Sequence, residues 1–105
     1  MERSIPFVEL TYRSDDGKTE LSLFIFHKLS GIEVSIQPDW RSRLTDSARS
    51  YLEGLMDDWR KTPPEETSLL MEEMVELSTG PLRCVGSGEV TTERMAWLRS
   101  AGAID

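Results

Sequence analysis

A chain of 105 residues that is 38% hydrophobic and 30% charged has the size and make-up of one globular domain, residues 1–105, rather than of a disordered polypeptide. Its 12 basic and 19 acidic residues leave a net charge of -7, the wrong sign for nucleic acid or an anionic membrane surface. A protein partner, basic if charged at all, is the expectation. Cys84 is the only cysteine, so a disulfide within the chain is excluded. With no signal-like start and no apolar run near about 18 residues, the expected location is cytoplasmic.

Ile5 to Arg13 and Thr19 to His27 are rich in β-branched and aromatic residues, and Ser14-Asp15-Asp16-Gly17 between them is turn chemistry. The spacing predicts a hairpin. A loop of these four residues with Gly17 left-handed would set Val8 opposite Leu23, Leu10 opposite Leu21 and Tyr12 opposite Thr19, on one apolar face. A loop one residue shorter would split the apolar set between faces. Lys28-Leu29-Ser30-Gly31 repeats the pattern, after which Ile32, Val34 and Ile36 alternate with polar residues until Pro38. That second hairpin pairs Ile25 with Val34 and Leu23 with Ile36.

From Leu44 the residues Ala48, Tyr51, Leu52, Leu55, Met56 and Trp59 fall at helical spacing, with Ser42 or Thr45 as the cap. Gly54 inside this helix suggests a close contact with another element. Trp40 is read as a lid on one end of the core. Thr62-Pro63-Pro64-Glu65 has the form of a capped start for a second helix bearing Leu70, Met71, Met74 and Leu77, stopped by Gly80-Pro81. Leu82 to Val85 reads as a short strand. Thr91 or Thr92 then caps a last helix with Met95, Leu98 and Ala101. The order β-β-β-α-α-β-α describes an α+β fold, a three-stranded antiparallel meander with helices packed on one face and a short fourth strand.

Few motifs point to catalysis. His27 is the only histidine, which excludes a two-histidine metal site, and a Cys84/His27 nucleophile pair would need the fold to join them. Gly86-Ser87-Gly88 precedes a helix as a phosphate-cradling loop would, but it lacks a third glycine and any following Gly-Lys-Ser/Thr, so it reads as a plain turn. The adjacent acid pairs diverge by about 100° on a helix and suit no shared metal. No cofactor is expected.

Two surfaces remain. Ile5, Phe7, Phe24 and Phe26 fall on the sheet face opposite the main core and require a cover, from this chain or from a partner. Thr62 to Leu82 holds Glu65, Glu66, Glu72, Glu73 and Glu76 and no lysine or arginine. Glu65 and Glu66 suit a first helical turn, but Glu76, near the helix end and repelling Glu72 and Glu73, opposes the helix dipole. The leading expectation is a non-enzymatic, acidic interaction or regulatory module that docks on another macromolecule. Its binding residues would be Glu72, Glu73 and Glu76, with the aromatic patch as a second candidate. The alternatives are a small enzyme or ligand-binding domain using Cys84, His27 or the Gly86-Ser87-Gly88 turn, and a homodimeric subunit joined through the patch.

Overall fold

The computed structural model describes residues 3–78 and 80–104. Strands β1 (Ser4–Arg13), β2 (Glu20–Lys28) and β3 (Gly31–Ile36) are followed by helices α1 (Asp46–Lys61) and α2 (Thr67–Glu76), strand β4 (Leu82–Thr91) and helix α3 (Thr92–Ser100). The four strands form one antiparallel sheet in the order β3-β2-β1-β4, so the late strand pairs with the first one.

Alternation in the strands builds the main core. Val8, Leu10 and Tyr12 of β1, Leu21, Leu23 and Ile25 of β2, and Ile32, Val34 and Ile36 of β3 share one buried face. Leu52, Met56 and Trp59 of α1 and Met71 and Met74 of α2 close it, and Trp40 is buried at its margin in a short 3-10 turn. Thr45 caps α1, its side chain accepting from the Ala48 N–H.

The second hairpin has the expected register, Ile25 opposite Val34 and Leu23 opposite Ile36. The first is displaced by two residues: Val8 pairs with Ile25, Leu10 with Leu23 and Tyr12 with Leu21. Local hydrogen bonding explains the longer loop. The Ser14 hydroxyl donates to Asp16 (2.6 Å) while accepting from the Thr19 N–H (3.1 Å), and Asp16 also accepts from the Lys18 N–H (3.0 Å). These bonds hold Lys18 and Thr19 in the turn. They also keep the exposed Asp16 carboxyl below its ordinary pKa, the Ser14 hydroxyl being the larger cause. A shift of two preserves the faces, so the apolar row survives the altered pairing.

Gly17 and Gly31 have φ of 71° and 123°, as the turns require. Gly17→Val is expected to lower stability by about 1 kcal/mol or more, read from a urea midpoint, because the left-handed region penalises a β-branched side chain.

Other expectations need correction. Gly54 makes no close contact: a Cβ there would meet nothing within 4 Å and the residue is exposed on α1. Gly54→Ala should accordingly stabilise the protein by about 1 kcal/mol, measured by thermal or urea unfolding, through helix propensity alone. Thr62 does not cap α2. Its hydroxyl donates back to the Asp58 carbonyl at the end of α1, and α2 begins only after a 3-10 turn at Pro64–Glu66. Nor is β4 short. It runs through Gly86-Ser87-Gly88, which is therefore strand and not turn, with a bulge at Val85 where the ladder passes from Leu10–Cys84 to Glu9–Gly86.

The helices do not share one face. α1 and α2 cover the main core, whereas α3 crosses the opposite face, where Phe26, Met95 and Ile104 are buried among Ile5, Phe7, Phe24, Val90 and Leu98. Apolar side chains on both faces of a sheet call for a layer on each side. Glu33 ties the third helix down by pairing with both Arg99 of α3 and Lys28 of β2. Burial, with Arg99 as a lesser cause, lowers the Lys28 pKa.

Candidate functional site

The fold does not bring Cys84 and His27 together. Cys84 lines up across the sheet with Leu10 and Leu23, while His27 lies four positions further along β2, about 13 Å at the strand rise per residue. Cys84 is half-buried against the core, its thiol directed to the Gly86 carbonyl at 3.6 Å. His27 is engaged elsewhere. The Thr67 hydroxyl donates to the Pro64 carbonyl (2.8 Å), so its oxygen accepts from His27 Nε2–H at 2.5 Å. This is a structural bond between β2 and the start of α2. Among the described residues no three His, Cys, Asp or Glu side chains are grouped to hold a metal, and no helix is long and apolar enough to cross a membrane.

The aromatic residues do cluster. Phe24 stacks on Phe26 with centroids 6.5 Å apart, and Phe7 lies 6.4 Å from Phe26. This chain supplies their cover, since α3 and Ile104 bury Phe26 and leave Ile5, Phe7 and Phe24 half-buried. Together with Met95 and Ile104 they form a second core within this chain.

Glu72, Glu73 and Glu76 are all exposed on α2 and enter no ion pair among the described residues. The structure adds a groove beside two of them. Glu72 and Glu76 stand on the flank of α2 above a hollow of about 360 Å³ that also takes in Phe7, Met71, Val75 and Gly88. Val75 keeps 45% of its surface exposed, so the hollow has an apolar wall in contact with solvent. No lysine or arginine lines it. Glu73 lies outside this lining. Its far side is the C-terminal half of β4, an edge strand that reasoning from the sequence missed because the glycines had been read as a turn.

A second groove, between the β1–β2 loop and α1, contains Tyr12, Asp15, Asp16, Arg43 and Tyr51. The two tyrosine rings lie 6.4 Å apart, and burial together with the carboxylate of Asp15 pushes the Tyr12 phenol above its ordinary pKa. Arg43 offsets the acids there. Of these two grooves, the one at α2 is lined by charge of a single sign.

Comparison with protein-family models, with curated proteins and with solved structures finds no match.

Proposed function

We propose that this protein is a non-enzymatic interaction module that docks a basic segment of a protein partner on the α2–β4 side of the domain. The observation that carries this reading is the pairing of Glu72 and Glu76 with an apolar wall in a groove free of cationic residues. Opposite charge steers encounter and fixes register, while the apolar wall supplies burial. Glu76 is the informative residue, because α2 has no basic residue in its last turn to answer the helix dipole. A position that stability alone would give to lysine or arginine carries a carboxylate that a basic partner would neutralise.

The test uses a partner recovered on the immobilised protein from its native source. Replacing Glu72, Glu73 and Glu76 together by glutamine should leave the fold intact, slow association about tenfold and flatten its salt dependence. Glu65→Gln with Glu66→Gln removes charge from the turn before α2 and should change neither. Equal effects of the two variants would reduce the groove to one part of a generally acidic surface.

A further inference from the structure

We infer that the outer edge of β4 from Gly86 to Glu89 accepts an extended basic segment of the partner as an added strand, its cationic side chains reaching Glu72, Glu76 and Glu89. This rests on the docking reading above and specifies its mode.

The hydrogen-bond ladder fixes which backbone groups are open. Thr92 N–H donates to Arg3 O at 2.9 Å, so the closely bonded pairs of β1 and β4 continue at Ile5–Val90, Phe7–Gly88 and Glu9–Gly86. Ser87 and Glu89, which pair with Val8 and Pro6 between them, therefore turn their N–H and C=O groups away from β1. No strand among the described residues lies beyond β4 to meet them.

Elsewhere on the sheet edges some outward groups are already engaged. On β3 the Arg60 guanidinium donates to the outward Val34 carbonyl (3.4 Å), and on the first half of β4 the outward Cys84 N–H donates to Leu77 O (2.9 Å). The bulge at Val85 separates that half from the open one. Edge strands are normally guarded by lysine, proline or a covering loop, and the stretch from Gly86 to Glu89 has no lysine or proline. Gly86 and Gly88 also carry no side chain that would crowd an incoming strand on the α3 side.

Charge decides the occupant. Ser87 and Glu89 share the sheet face of Val8 and Pro6, the face over which α2 lies. A strand added about 4.8 Å beyond β4 would direct alternate side chains toward Glu72, Glu76 and Glu89. A second copy of this chain, pairing β4 with β4, would bring two sets of these carboxylates together and join two bodies of charge -7. An extended segment with lysine or arginine at alternate positions meets the opposite sign at each step.

The experiment uses a short fluorescent peptide alternating lysine and valine, and the same peptide N-methylated at every amide, which keeps the charge and removes every backbone donor. The wild-type protein should bind the first at least about tenfold more tightly than the second in fluorescence anisotropy. Ser87→Pro should weaken the unmodified peptide to a similar extent, because it removes an outward N–H and none that β1 uses. Equal affinity for both peptides would overturn strand addition even if Ser87→Pro failed to fold. If Glu72→Gln with Glu76→Gln still abolished that binding, the docking reading would survive without the strand. Binding insensitive to both changes would overturn both. A dimer in sedimentation that Ser87→Pro dissociates would assign the edge to a second copy and overturn the inference.

Discussion

Phe26→Ala is expected to destabilise the protein by about 3–5 kcal/mol, the range for truncating a buried aromatic ring. Phe26 retains 1% of its surface and sits between β2 and α3, in contact with the cluster that holds Met95 and Ile104. Its removal leaves a void that cannot collapse easily, because the sheet fixes one wall and the Glu33–Arg99 pair anchors α3 over the other. A loss of that size is a large share of the roughly 5–15 kcal/mol that holds a domain folded. The urea midpoint should fall steeply and independently of protein concentration. Phe24→Glu should act similarly, since its ring stacks on Phe26. If either variant instead turned a folded dimer into an equally stable monomer, the second core would be an interface.

Thr67→Val is expected to cost about 1–3 kcal/mol although the two side chains have almost the same shape. The hydroxyl is fully buried and serves two partners, donating to Pro64 O and accepting from His27 Nε2. Valine would remove the hydroxyl that the His27 N–H uses and one of the two bonds to the Pro64 carbonyl, which also accepts the Thr67 N–H, at a position that is itself fully buried. Thr67→Ser keeps the hydroxyl and loses only a methyl, so it should retain most of the stability. Equal midpoints for the valine variant and the wild type would mean that His27 and Pro64 find other partners.

How far the fold was legible follows from where periodicity carries information. The alternation in β1, β2 and β3 identified both faces of the sheet, and the spacing from Ala48 to Trp59 identified α1. The pairing of Leu10 was misplaced by two residues because Ser14 and Asp16 bond the loop internally, and the faces do not register such a shift. The second core was visible as Ile5, Phe7, Phe24 and Phe26 without a cover. Its cover was harder to see, because α3 has only Met95 fully buried and exposes Trp97. The start of α2 was misread because Thr62 and Pro63 resemble a cap, while Thr67 makes the bonds that anchor the helix. The acids of the candidate site were plain in the sequence. The groove was not, since it needs β4 beside α2, and a strand containing Gly86 and Gly88 is hidden by glycine's preference for turns.

The most direct measurement of the docking claim is a backbone amide shift map of the labelled protein titrated with the alternating lysine–valine peptide. Shifts are expected to concentrate in β4 from Gly86 to Glu89 and in α2 from Met71 to Glu76, and to fade as salt is raised. Shifts centred instead on the groove of Tyr12 and Tyr51, or spread evenly over every exposed acid, would contradict the docking claim.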